Sequence, residues 1–364
     1  MKILDEARRH YIPELDGIRA VAVLLVITAH IHSAATMHRA GGHYGVVIFF
    51  VLSGYLITSI SLREEKNRGR LSFAGFYIRR TFRIFPVYYF VLALYAVLIL
   101  GLHISADKGP AFRYAMPYYL LYMQEVPYFL HNTGKTYPFY QSWSLGIEEK
   151  FYFTWPFICF GLLRSRRLWR IPVAVTLIIV TAVSGVFFNS YTSILFGCLL
   201  ALLLQSSWAR SVATRGSLVG CYLIPSLLIA LHVFVLPHLH GYPLDPLYAT
   251  LVALWIGFLL HGESVVGKLL SFPPLVMIGK FSYSIYLIHV LCLNAVEKVF
   301  PNPIVTYLGT VVLATAIAGV LHVLLEQPMI KIGRRLARGR LRPAIVAYDS
   351  DTQASGAPEV ASLG

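Results

Sequence analysis

Residues 17–37 read GIRAVAVLLVITAHIHSAATM, an apolar run interrupted by Arg19, His30 and His32. About 20 residues of this kind match a hydrocarbon core roughly 30 Å thick. At that depth the backbone finds no water, so the run must satisfy its own N–H and C=O groups as a helix. Comparable runs recur near 45–62, 84–102, 143–163, 171–188, 191–206, 217–236, 246–261, 275–297 and 304–325. The period-two alternation of a membrane barrel is missing. The expected fold is all-α: a polytopic integral membrane protein with about ten transmembrane helices.

Composition agrees with this reading. The chain is 57% hydrophobic and 13% charged, with a mean hydropathy of +0.65; soluble domains carry about 25% charged residues. Of the 31 Lys and Arg, 23 fall in segments on the side of the N-terminus and 5 in loops on the other side. That asymmetry predicts cytoplasmic N- and C-termini. It also accounts for the net charge of +14 without a nucleic-acid partner. Residues 1–14 are expected to be a cytoplasmic N-terminal segment with no cleavable signal. Residues 15–330 form the transmembrane domain, and 331–364 a basic and then disordered cytoplasmic tail. The expected location is the cell (inner, cytoplasmic) membrane, spanned several times. The one long outer segment, 103–142, is rich in aromatic residues and proline, which suggests an ordered interfacial element.

Ionisable groups inside spans are costly and mark functional candidates. Arg19 and His30 are eleven residues apart, within about 20° of one helix face and separated by a rise of about 16 Å. Arg19 has a plain reading too, snorkelling to the inner interface beside Asp16; His30 has one in helix packing. In SWSLGIEEKFYF, Glu148, Tyr152 and Trp155 share a face that would point inward, whereas Glu149 would turn toward Lys150, water or another helix. The carboxylates' plain reading is a helix N-terminal cap. In GKFSYSIYLIH, Ser282, Tyr286 and His289 share a face. Counting depth at 1.5 Å per residue puts His30, Glu148 and His289 at one level in the outer half of the membrane. Arg79, Arg80 and Arg83 precede the third span in FYIRRTFRIFPVYYF. They suit either lipid headgroups or a phosphate-bearing cofactor, and Glu326 in LEQP is placed to pair with one of them.

Motifs for other chemistries are missing. There is no HExxH helix, no P-loop and no GxGxxG after a strand. Cys159, Cys198, Cys221 and Cys292 lie in or beside spans without metal-ligand spacing; His238 and His240 read as a solvated loop. No metal is expected.

Taken in order, YIPELDGIRAVAVLLVITAH, FFVLSGYLI, IRRTFRIFPVYY, SWSLGIEEKFYF, FSYSIYLIH and LEQP resemble the membrane-bound acyltransferase family 3, of the O-antigen acetylase type. The resemblance covers about residues 11–328. It implies an O-acyltransferase moving an acyl group, most often acetyl, from acyl-CoA to a hydroxyl of a carbohydrate or glycosylated natural product. By it, Arg19 and His30 match the family's arginine–histidine pair. Arg80 and Arg83 match its arginine motif on the acyl-CoA side, and Glu148 the first glutamate of its fourth-span motif.

The chemistry needs a base for the attacking hydroxyl and help for the oxyanion. His30 has the pKa range for the base; Glu148 would orient the imidazole or the acceptor, and Arg19 would stabilise developing charge or the cofactor's phosphates. Arg79, Arg80 and Arg83 would hold acyl-CoA. Ser142, Trp143, Tyr152, Ser282, Tyr286 and His289 are candidates for holding substrate. Direct transfer ranks ahead of an acyl-enzyme on Ser142, Ser144 or Ser282, since no nucleophile elbow is present. Expected partners are the lipid bilayer, a carbohydrate acceptor and other envelope-polysaccharide biosynthesis proteins. The rival classes are a secondary transporter or flippase, and a non-catalytic subunit of a polysaccharide-export system.

Overall fold

A computed structural model describes residues 11–31, 41–129, 137–239 and 243–339. Outside them lie most of the 1–14 segment, the end of the first expected span, His240 and the tail beyond 339. Every regular element among the described residues is helical, and helices occupy all ten expected stretches. Five are long and apolar enough to cross a membrane: His43–Arg68, Phe73–Gly101, Ser207–His238, Pro273–Val299 and Pro303–Arg338. The chain is a multi-pass membrane protein.

We number the helices α1 Pro13–Thr28, α2 His43–Arg68, α3 Phe73–Ala96, α4 Gly109–Leu120, α5 Glu125–Phe129, α6 Trp143–Pro156, α7 Arg170–Val183, α8 Val186–Leu203, α9 Ser207–Ala230, α10 Asp245–His261, α11 Val265–Leu270, α12 Pro273–Val299, α13 Pro303–Leu321 and α14 Gln327–Gly339. Local chemistry sets several ends. Ser72 caps α3 by accepting from the Gly75 N–H at 3.2 Å, and Ser206 caps α9 through Ala209. Asn302 caps α13 just ahead of Pro303. α2 stops at Gly69, whose φ of 70° is left-handed.

α3 begins about three turns before the apolar run that announced it. Arginines lower the hydropathy of 73–83 but are good helix formers, so the helix continues through them. Arg79, Arg80 and Arg83 therefore lie inside α3 rather than ahead of it, and Pro86 falls mid-helix. The described parts of the 103–142 segment, 103–129 and 137–142, carry short helices. Tyr88 and Tyr89 donate to the carbonyls of Tyr119 and Leu120 at 2.8 and 2.9 Å, and Lys150 of α6 pairs with buried Glu125 at 2.6 Å. These contacts fasten α4 and α5 over the outer ends of α3 and α6.

Two close approaches position the interior. Gly54 of α2 lies against the Ile194 carbonyl of α8, and Gly197 of α8 against the Val51 carbonyl of α2. Without side chains at these positions the two backbones touch, the usual means of tight helix contact in lipid. Gly279 of α12 likewise lies against the Asp16 carbonyl of α1.

Candidate active site

A cavity of about 100 Å³ is lined by residues of α1, α2, α3, α6 and α12. Its charged lining is four cations, Arg19, Arg80, Arg83 and Lys280, and two carboxylates, Glu148 and Glu149. Arg83 and Lys280 are exposed, whereas Arg19, Arg80, Glu148 and Glu149 are half-buried. Arg19, Arg80, Arg83 and Lys280 all sit in the first half of their helices, α1, α3 and α12. Arg83 and Lys280, its exposed cations, mark the cavity's mouth.

Below the mouth the charges are tied together. Arg19 Nη1 donates to Asp16 Oδ1 at 2.9 Å. Glu148 Oε2 accepts from Ser53 Oγ at 3.0 Å and from the Tyr152 hydroxyl at 2.5 Å, and Ser53 and Tyr152 also touch. The Arg80 guanidinium lies 4.5 Å from the Tyr152 ring centre, a cation–π contact. Carboxylates and an aromatic face thus keep several cations together at a depth where a lone charge is expensive.

Farther along the bundle stand two imidazoles. His289 is fully buried, and its Nε2 lies 3.4 Å from His30 Nδ1, with ring centres 4.8 Å apart. His289 Nδ1 lies 2.6 Å from the Tyr286 carbonyl, and His30 Nδ1 lies 2.9 Å from the Val26 carbonyl. A carbonyl only accepts, so each Nδ1 carries a proton in the neutral ring. The basic nitrogen of His30 is then Nε2, and the Nε2 lone pair of His289 faces His30 Nδ1–H.

Tyr286 joins the two centres. It lines the cavity, and its ring lies 5.7 Å from that of His289. Its hydroxyl donates to the Gln141 carbonyl at 2.5 Å and lies 2.7 Å from Ser144 Oγ. Tyr140 completes the surroundings of His30, ring centre to ring centre 5.7 Å.

The residues singled out by sequence divide accordingly. Arg19, Arg80, Arg83, Glu148, Tyr152, Ser282 and Tyr286 line one cavity, and His30 meets His289. Four expectations change. Glu148 meets Ser53 and Tyr152 rather than His30, because α6 starts beneath the outer segment and depth counted from its first residue is too shallow. Glu149 lines the cavity too, while Lys150 is taken by Glu125. Arg79 is held by Glu64 at 2.7 Å and does not line the cavity. Glu326 accepts from His322 at 2.9 Å instead of from an arginine.

Ser142 and Trp143 also stay off the cavity. Ser142 donates to the Phe139 carbonyl at 2.8 Å, and Trp143 stacks on His43, which in turn contacts Asp245 at 3.0 Å. Sequence reasoning missed Ser53 and left Lys280 without a role. The available signals were a small polar residue within an apolar run and a cation just inside a span. Among the described residues, no cluster of three or more metal-ligating side chains occurs.

A family model described as an acyltransferase domain matches residues 12–323. The chain is 31% identical over 354 residues to "Putative peptidoglycan O-acetyltransferase YrhL" of Bacillus subtilis, covering 88% of this chain and 55% of that protein. It is 30% identical over 320 residues to "Peptidoglycan O-acetyltransferase OatA" of Listeria monocytogenes, covering 79% and 50%. Against "O-acetyltransferase OatA" of Staphylococcus aureus the identity is 28% over 360 residues, covering 89% and 58%. The chain spans about half the length of these curated relatives. No solved structure matches it.

Proposed function

The chain belongs to the family of that acyltransferase domain, and we propose that it is an integral membrane O-acetyltransferase acting on a cell-envelope glycan. The observation that carries this reading is the cavity with four cations that is joined through Tyr286 to the His30–His289 pair. The donor is acetyl-CoA, and the acceptor is a glycan hydroxyl of the peptidoglycan kind named for the relatives. The chain crosses the cytoplasmic membrane about ten times with both termini inside, so the cavity's mouth opens to the cytoplasm, where acyl-CoA is found.

Each residue then has a task. Arg80, Arg83 and Lys280 hold the donor's phosphates at the mouth; guanidinium forks suit phosphate oxygens. Arg19, held by Asp16, extends that positive lining inward. Glu148 positions Ser53 and Tyr152 and balances the cations, rather than orienting the base. The thin pantetheine arm passes Tyr286 and brings the thioester to His30. His30 Nε2 takes the proton of the acceptor hydroxyl as its oxygen bonds to the thioester carbon. The tetrahedral intermediate collapses with breakage of the C–S bond, and the proton on His30 passes to the departing thiolate. His30 Nδ1–H is shared between the Val26 carbonyl at 2.9 Å and His289 Nε2 at 3.4 Å, and these two acceptors together steady the imidazolium.

Purified protein supplied with radiolabelled acetyl-CoA and peptidoglycan fragments tests this reading. Labelled glycan is the expected product. Solute uptake by reconstituted vesicles without any acetyl transfer would instead make the charged cavity a transport path.

A further inference from the structure

A second and larger cavity, of about 410 Å³, opens where the end of α2, the end of α8, the start of α9 and the end of α10 meet the segment ahead of α1. Its rim carries Arg63, Lys66 and Arg210 against the single carboxylate of Glu14. Among the described residues neither Arg63 nor Lys66 has an acidic partner. The neighbouring acids are already committed, Glu64 to Arg79 and Glu65 to Arg170. Arg210 donates to the carbonyls of Leu204 and Gln205, both at 3.0 Å, which holds its cation at the rim. The lining also includes the apolar Leu62, Leu204, Leu259 and Leu260, beside Ser59, Asn67 and Gln205. A basic rim with leucines beside it at the ends of membrane helices matches an anionic head on a hydrophobic body.

The cleft also adjoins the first cavity. Tyr11 lines the cleft, and its ring centre lies 5.1 Å from the ammonium of Lys280, which lines the other. We propose that this cleft is a second phosphate-recognising site, in which Arg63 and Lys66 hold a phosphate group and the leucines take the apolar part of its bearer. Two bearers have that chemistry, an anionic phospholipid of the adjoining leaflet and the nucleotide end of the thioester donor. The second rests on the donor assignment above; the first does not.

The test uses the full chain in detergent, with the double variant Arg63→Gln/Lys66→Gln and the charge-keeping swap Arg63→Lys/Lys66→Arg. Binding of phosphatidylglycerol against phosphatidylcholine is followed by native mass spectrometry, and binding of coenzyme A by calorimetry. The neutral variant is expected to lose about tenfold or more in affinity for one of the two phosphate-bearing probes, with the swap close to wild type. Loss for phosphatidylglycerol alone identifies the lipid as bearer; loss for coenzyme A identifies the donor. A wild type that binds no coenzyme A counts against the donor assignment and leaves the lipid arm to decide the cleft. Equal affinities of neutral variant and wild type for every probe that binds would overturn the proposal, as would equal loss in the charge-keeping swap.

Discussion

His30 and His289 show how much a residue's neighbours decide its chemistry. Both imidazoles place Nδ1 against a backbone carbonyl, which leaves His30 Nε2 as the basic nitrogen and points the lone pair of His289 at His30. His30→Gln therefore removes the base without emptying the space, and turnover should fall by about 10²–10⁴-fold. Coenzyme A affinity should stay at the wild-type value, because the cations proposed to hold its phosphates are elsewhere; a parallel loss of affinity in calorimetry would place His30 in binding instead. His289→Phe keeps the volume but takes away the second acceptor of His30 Nδ1–H and leaves the Val26 carbonyl. A smaller drop, in kcat and not in KM, is expected for it, with partial recovery in His289→Gln; a wild-type kcat in His289→Phe would remove the residue from the mechanism. At the cavity, Glu148→Ala deprives Ser53 and Tyr152 of their shared acceptor. Thermal unfolding in detergent should show a loss of about 1–3 kcal/mol, and Glu148→Gln should recover part of it. An unchanged midpoint in Glu148→Ala would mean the cluster contributes nothing to stability.

Helices hold these residues in place through contacts that differ in kind, and the differences are testable. A methyl group on Gly54 would overlap the Ile194 carbonyl, next door to Ser53. Gly54→Ala should cost about 1–3 kcal/mol through forced backbone shifts, whereas Gly101→Ala, with nothing within 4 Å, should be silent; the two midpoints compared in one detergent settle it. On the side of the cavity's mouth, Arg170 of α7 makes a two-pronged pair with Glu65 of α2, at 2.7 and 2.9 Å, with both side chains buried. Arg170→Ala leaves that buried carboxylate with only the more distant and exposed Arg167, at 3.5 Å, and should cost about 3 kcal/mol. Replacing both partners by methionine should restore most of the loss; no restoration would contradict the pairing argument. The helices themselves were legible in the sequence because each apolar run announces its own length. The start of α3 was not, because hydropathy falls where arginines enter while the helix continues. The cluster of Arg19, Arg80, Arg83 and Glu148 was partly legible, since each is an ionisable group in or beside a span. Its partners were hidden for a different reason. Ser53 reaches Glu148 only through the relative rotation of α2 and α6, and no single helix encodes that angle.

Over the whole molecule, the cations form a gradient. Four line one cavity from the first halves of α1, α3 and α12, and the pair of His30 and His289 stands at later positions along the chain, just past α1 and within α12, next to Tyr286. A long anionic donor would enter by its acyl end and be stopped by its phosphates. The acyl group would arrive at His30 while the nucleotide stays at the mouth. Proteoliposomes with the protein in one known orientation, given radiolabelled acetyl-CoA on one face at a time, test this directly. Labelled glycan should form only when acetyl-CoA is on the face bearing Arg83 and Lys280. Equal product from acetyl-CoA on either face, or product only from the opposite face, would contradict the account.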